Sequence, residues 1–221
     1  RVYYLDPRVA MRTARPPADV RDIGVLGEDI APYLYRLRAQ EPRKFASVRR
    51  TLRSIIPSVD DLSVDIDEKR GTLDIQVTQD GCSYSSRVMS EGTLRVLAIC
   101  SIAVNPWAHG LVAFEEPENG VHPRRLALIA ELLVSLALEQ NRQVIVTTHS
   151  PLFCQSILDL TKERHAEVRM YAVGRDRRGT HATPFDYGGT LFEGTELAQA
   201  LSSAQEDGMF EQMLLRGWLD G

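Results

Sequence analysis

Two short apolar segments, each ending in polar chemistry and separated by one long apolar helix, limit the fold of this chain more than any other feature. The first, Leu111-Val-Ala-Phe114, runs into Glu115-Glu116-Pro117-Glu118. The second, Val144-Ile-Val146, runs through Thr147-Thr148 into His149-Ser150-Pro151. Between them Pro123 opens a stretch that reads as helix to about Gln140, with Leu126, Ile129, Leu132, Leu133 and Leu136 on more than one face. Apolar runs without alternation suit strands buried on both faces. Strand, buried helix and strand make the βαβ unit of a parallel sheet covered by helices on both faces, an α/β fold. Successive strands of such a unit usually lie close together. The acidic pair and the histidine are therefore expected side by side at the C-terminal edge of the sheet, where open parallel sheets bind ligands.

The rest of the chain supports this organisation. Val2 to Leu5 reads as a strand, followed by a long Arg- and Pro-rich connection to Val25. Ile30 to Leu37 and Phe45 to Ile56 are predicted helices. The second has Phe45, Val48, Leu52 and Ile55 at helical spacing and is stopped by Pro57. Leu62 to Asp67 and Thr72 to Val77 alternate with period two around Lys69-Arg70-Gly71, a β-hairpin with one buried face, and Tyr84 to Val88 adds a candidate strand. Gly92 to Val104 is a predicted helix and Val168 to Val173 a third strand of the parallel sheet. The tail is Gly-rich near Gly188-Gly189 and helical to Trp218. The expected division is 1–88 (linker, helical segment and hairpin), 89–175 (core lobe) and 176–221 (tail).

The chemistry lies at the strand ends. Two adjacent acids after a buried strand suit nucleotide hydrolysis: Glu115 to hold Mg²⁺ and Glu116 to orient the attacking water. Neighbours on an extended strand point to opposite faces, but the strand ends here and the backbone can turn. A histidine at a strand end is more often structural than catalytic. One crossover after an acidic pair, however, His149 can reach a γ-phosphate or its water. Ser90-Glu91-Gly92-Thr93 at the mouth of a helix offers a hydroxyl and free N–H groups to a phosphate, although Ser90 could equally be an N-cap.

In this order, Ser90-Glu-Gly-Thr, Glu115-Glu-Pro-Glu-Asn-Gly-Val-His-Pro123 and Thr148-His-Ser resemble three motifs of ABC-type ATPases: the signature, Walker B with D-loop, and H-loop. The wording is similar to the RecF/SMC-like branch, of the overcoming-lysogenization-defect (OLD) and AAA-21 type. The resemblance extends over most of the chain, through Leu26 to Leu34 and the hairpin. It implies the C-terminal lobe of a P-loop ATPase head, with Glu115 as the Mg²⁺-associated acid, Glu116 as the catalytic glutamate and His149 as the switch histidine. Ser90, Glu91, Gly92, Asn119 and His122 would then face ATP held by the opposite head of a homodimer. The chain departs from the broader ABC pattern in three places. Glu115 replaces Asp, Glu91 replaces Gly, and His122 stands where the D-loop often has Asp.

No G-x-x-x-x-G-K-[ST] loop occurs in the sequence. That loop supplies the phosphate cradle and its lysine. The resemblance places it upstream, so a longer polypeptide or a partner lobe is expected to supply it. The start at Arg1, with a strand already under way, points to the former.

An output on DNA or RNA, in phage defence or repair, is implied by the resemblance and supported by Arg36, Arg38, Arg43, Lys44, Arg49, Arg50 and Arg53. Of these, Arg49, Arg50 and Arg53 are the candidate phosphate contacts, against the alternative of a solvated helical face. The net charge of -4 argues against nucleic-acid binding by the chain as a whole. Relatives of the OLD type carry a nuclease, but past His149 there are only scattered acids, so a nuclease would be an effector partner. A transporter ATPase subunit is a further alternative. Cys82, Cys100 and Cys154 lack metal-ligand spacing and suggest a reduced, cytoplasmic setting. Leu126 to Leu138 is too short to span a bilayer and contains Glu131, which argues against membrane insertion.

Overall fold

The computed structural model describes residues 1–108, 110–164, 167–177 and 179–185. Two compact units divide the chain, Arg1–Leu160 and Thr161–Gly221.

The first unit is built on a parallel three-stranded sheet. β1 (Val2–Tyr3), β5 (Leu111–Glu115) and β6 (Gln143–Thr147) lie in the order β1-β5-β6. Val2 pairs with Ala113, and Ala113 with Ile145. The strand–helix–strand reading is thus realised, with α4 (Leu126–Leu138) crossing from β5 to β6 after a 3-10 turn at Pro123–Arg125. One face of the sheet carries Tyr3, Val112 and Phe114 into the core, with Val144 and Val146 packed against it. Tyr3 stacks on Phe114 with ring centroids 5.7 Å apart. α4 contributes Ile129, Leu133 and Leu136 to that core, and α5 (Pro151–Leu160) contributes Phe153.

The other face differs from expectation. Val2, Tyr4, Leu111 and Ile145 are exposed there, Ile145 at 46%. Among the described residues the sheet is covered on one side only.

Before the sheet's central strand lies the rest of the core. α1 (Ile30–Gln40) and α2 (Pro42–Ile55) meet at Glu41, which caps one helix and opens the other, with Pro42 at the favoured first position. α2 buries Phe45, Val48, Leu52 and Ile55, the face read from sequence. β2 (Val59–Asp67), β3 (Thr72–Gln79) and β4 (Cys82–Ser85) form an antiparallel sheet that buries Leu62, Val64, Leu73, Ile75 and Val77. The third strand starts earlier than Tyr84. Its partners Gln79 and Cys82 flank a turn in which Asp80 and Gly81 both have positive φ, so pairing begins at once. The long connection from β1 is not free, because the Arg15 carbonyl accepts from Leu73 N at 2.7 Å. α3 (Glu91–Ala103) runs through the centre and is buried at every position after Glu91.

In the second unit, β7 (Met170–Asp176) pairs antiparallel with β8 (Gly179–Phe185). The strand expected at Val168 to Val173 therefore exists but does not join the parallel sheet. A hairpin partner that begins directly after β7 needs no crossover, and the pair Asp176 and Gly179 closes it. The predicted terminal helix lies outside the described residues.

Candidate active site

The site is assembled where β5 ends. Glu115 stays in the ladder opposite Thr147 and is exposed. Glu116 then takes a left-handed backbone with φ 41°, uncommon for a residue with a Cβ. Its N–H still donates to the Thr147 carbonyl at 2.9 Å, so the chain turns while the two strand ends stay joined. The backbone thus turns where the strand ends, so the two carboxylates are not held to the opposite faces of an extended strand. The Glu116 Oε1 lies 3.5 Å from His149 Nε2, and its Oε2 accepts from Asn119 Nδ2 at 3.3 Å. His149 itself is 86% exposed, open to a ligand rather than satisfied in a core.

The loop after Glu116 is set by its own backbone. Asn119 N donates to the Glu116 carbonyl and Val121 N to the Glu118 carbonyl, each at 3.0 Å. Gly120 sits at φ 73°, where glycine is unstrained. His122 Nδ1 accepts from Arg124 N at 3.2 Å, capping the turn that leads to α4. This places His122 at the start of the helix, exposed, with a structural role in addition to any contact with a ligand.

The Ser90 segment meets that loop within the same chain. Ser90 is the N-cap of α3, its Oγ accepting from Thr93 N at 3.1 Å and lying 2.8 Å from Thr93 Oγ1. Glu91 pairs with Arg8, Oε1 to Nε 3.1 Å. Gly92 is buried against Gly120: a Cβ on Gly92 would collide with the Gly120 carbonyl oxygen and stand 3.2 Å from its carbon. So Ser90-Gly92, Asn119-His122, Glu116 and His149 form one connected chain of contacts, running from α3 to the end of β6.

Three contributors escaped the sequence reading. Arg12 donates through its guanidinium to the carbonyls of Ser86 (3.2 Å), Arg87 (2.6 Å) and Met89 (2.6 Å), gripping the strap before Ser90. No local pattern could reveal this, since the partners are more than seventy residues away. Glu118, the third acid of the run after β5, is 9% exposed and accepts from Thr148 Oγ1, the residue before His149. Arg95 is equally buried on α3. Burial lowers its pKa, opposed by the carboxylates of Glu118, Glu91, Glu116 and Asp6.

The basic cluster is less free than its sequence suggests. Arg36 pairs with Asp19, Arg38 with Asp65 and Arg49 with Asp61, while Arg50 donates to Ser47 Oγ. Arg43, Lys44 and Arg53 are exposed on α2.

Residues 6–155 match a family model described as "AAA domain, putative AbiEii toxin, Type IV TA system", AAA_21. The chain belongs to this family. Its fold is that of SMC ATPase heads. A chain from a study of ATP-driven dimerization and DNA-stimulated activation of SMC ATPases superposes with TM-score 0.53 at 11% identity, over 79% of this chain and 98% of that one. The Smc head domain with coiled coil and joint from Pyrococcus yayanosii gives 0.52 at 12%, over 80% and 32%. The Smc head bound to the C-winged helix domain of ScpA gives 0.51 at 14%, over 79% and 52%. At such identities the likeness concerns the fold.

A second kind of relative is the energy-coupling factor transporter ATP-binding protein EcfA2 of Staphylococcus aureus, 33% identical over 78 residues. The match takes in 35% of this chain and 26% of that protein, so the chain spans about a quarter of the relative's length. This chain is thus an AAA domain of the AAA_21 family with the fold of SMC ATPase heads. Among its described residues no helix is long and apolar enough to cross a membrane.

Proposed function

We propose that this chain forms the hydrolytic lobe of an ATPase head, with Glu116 as the catalytic glutamate. The observation that carries the reading is the turn at Glu116, which sets its carboxylate beside the exposed His149 and leaves Glu115 apart in the ladder. Glu116 accepts a hydrogen bond from the attacking water and draws its proton. Asn119 holds the second oxygen of that carboxylate, which fixes its orientation. His149, largely exposed with its Nε2 beside Glu116, donates to the γ-phosphate or to the same water.

No group of three or more His, Cys, Asp or Glu side chains converges among the described residues. Mg²⁺ takes one or two carboxylates and completes its shell with water and phosphate oxygens. Glu115 would hold it, directly or through water. The ion supplies neutralisation of charge on the phosphates.

The sheet face where Val2, Leu111 and Ile145 are exposed among the described residues supports a further lobe carrying the phosphate-binding loop. Parallel sheets are normally covered on both sides. Here the uncovered apolar face ends at Glu115, so a lobe seated on it would bring its loop to the acid. Ser90, Glu91, Gly92, Asn119 and His122 would complete an ATP site of the opposite head in a homodimer. Ser90, Asn119 and His122 are exposed as this requires, whereas Gly92 acts mainly by admitting the Gly120 loop. The output would be a nucleotide-driven switch on DNA or RNA in phage defence or repair, with an effector such as a nuclease on a partner, in a cytoplasmic setting. The exposed Arg43, Lys44 and Arg53 support the nucleic-acid part.

Glu116→Gln in the full-length protein tests the assignment. It is expected to lower kcat by about 10²- to 10⁴-fold and to trap ATP with a stabilised dimer. Full turnover in that variant would overturn it. A transporter-type subunit is the second reading, favoured by the 78-residue match to EcfA2; a membrane protein co-purifying with the native protein would select it.

A further inference from the structure

The acid run after β5 contains a third carboxylate that the hydrolysis reading leaves without a task. Glu118 is buried, and its Oε2 has no hydrogen-bond partner among the described residues. Its Oε1 accepts from Thr148 Oγ1. The same Thr148 oxygen accepts from Ser150 N at 3.0 Å, so one hydroxyl fixes the backbone on both sides of His149. On the other side Glu118 is two residues from Glu116, across the buried Pro117, and its carbonyl anchors Val121 N. The two strand ends are thus joined twice: once by backbone, Glu116 N to Thr147 O, and once by side chain, Thr148 to Glu118.

We propose that Glu118 is a positioning residue, whose part-buried hydrogen bond with Thr148 sets the place of His149 relative to Glu116. The backbone bond alone leaves His149 one rotatable residue beyond the last ladder pair. His149 is highly exposed, and packing cannot hold it. A hydrogen bond formed away from water is worth more than one at the surface, and a buried carboxylate without a donor is costly, so the pair resists opening. Arg95, buried on α3, is the cation whose charge the Glu118 carboxylate favours most against the effect of burial. The inference rests on the reading of Glu116 and His149 as the hydrolytic pair.

The test uses the full-length protein with ATP and Mg²⁺. Thr148→Val removes the donor and keeps the shape; Thr148→Ser keeps the donor. Thr148→Val is expected to lower kcat about 10- to 100-fold, the scale of an ångström of misplacement, with KM for ATP little changed. Thr148→Ser should stay within about threefold of the parent, given the shared hydroxyl. In a His149→Ala background Thr148→Val should cost nothing more, because its effect passes through the histidine. A purely structural role would cost the same fold in both backgrounds, and that result overturns the proposal. So does an unchanged kcat in Thr148→Val. If Thr148→Val does not fold, Glu118→Gln decides instead. It keeps an acceptor for Thr148, and a kcat fall beyond tenfold with the thermal midpoint intact would show that charge, not the hydrogen bond, matters. Glu116→Gln separates the two failures. Full turnover there sinks the hydrolytic assignment itself, whereas loss of turnover with a silent Thr148→Val sinks only the positioning role.

Discussion

Gly92→Ala sets two opposed effects against each other. Gly92 lies in the first turn of α3 with an ordinary helical backbone, so propensity alone favours alanine by up to about 1 kcal/mol. The new Cβ, however, would press on the carbonyl of Gly120, with the carbonyl carbon at 3.2 Å and its oxygen closer still. Both sides of this contact are backbone, so no flexible side chain can yield. Overpacking of this kind costs about 1–3 kcal/mol, and the expected net loss of stability is about 0–2 kcal/mol. The effect on turnover should be larger than the effect on stability. The displaced loop carries Asn119, which holds Glu116, so a shift at Gly120 reaches the catalytic carboxylate. The assay is equilibrium urea denaturation together with steady-state ATP hydrolysis by the full-length protein. Gly120→Ala is the control, since its Cβ has nothing nearer than 3.8 Å and would suffer only from φ 73°, a penalty of about 1–2 kcal/mol. A Gly92→Ala protein that gains about 1 kcal/mol, as propensity alone would give, and keeps its kcat would refute the close approach of the two loops.

Other expectations follow from the same geometry. Burial pushes the Cys100 thiol up to about 12 from an ordinary 9.0, so its contribution is complete below pH 9 and fades as pH rises towards 12. At pH 10.5 the loss is about 2 kcal/mol. Tyr3 and Tyr33, also raised by burial, add to it above pH 10. Urea midpoints at pH 8 and pH 10.5 should therefore converge less in the parent than in Cys100→Ala, and equal losses would contradict the account. Arg12→Met should cost about 2–4 kcal/mol through the four carbonyls it abandons, that of Pro7 among them, with Arg12→Lys recovering little because one ammonium cannot reach all four; a loss below about 0.5 kcal/mol would show that the grip is unimportant. Reversal of Arg49, Arg50 and Arg53 to Glu should lower DNA or RNA affinity at least about tenfold at low salt. Unchanged affinity would remove this face from the nucleic-acid reading, as the pairing of Arg49 with Asp61 already inclines it.

What the sequence by itself determined is local. Leu111 to Phe114 and Val144 to Val146 read as strands of a parallel sheet, and the helical spacing of Phe45, Val48, Leu52 and Ile55 gives the buried face of α2 directly, because periodicity records the solvent boundary along one element. The identity of the chemical groups at the strand ends was equally legible, since Glu115 closes its strand, Glu116 follows at once and His149 comes two residues after the end of the other. What the tertiary structure decided is everything that depends on residues far apart in the chain. The turn at Glu116 brings its carboxylate beside His149. The contact of Gly92 with Gly120 joins α3 to the loop, and the bond between Thr148 and Glu118 joins the two strand ends. Arg12 reaches a strap more than seventy residues distant. The sheet's bare face and the pairing of β7 with β8 were also beyond the sequence, because hydrophobicity shows that a strand wants burial and not which partner provides it. Hydrogen bonds and close approaches between distant backbones leave no period behind them; only the folded chain brings their two halves into register.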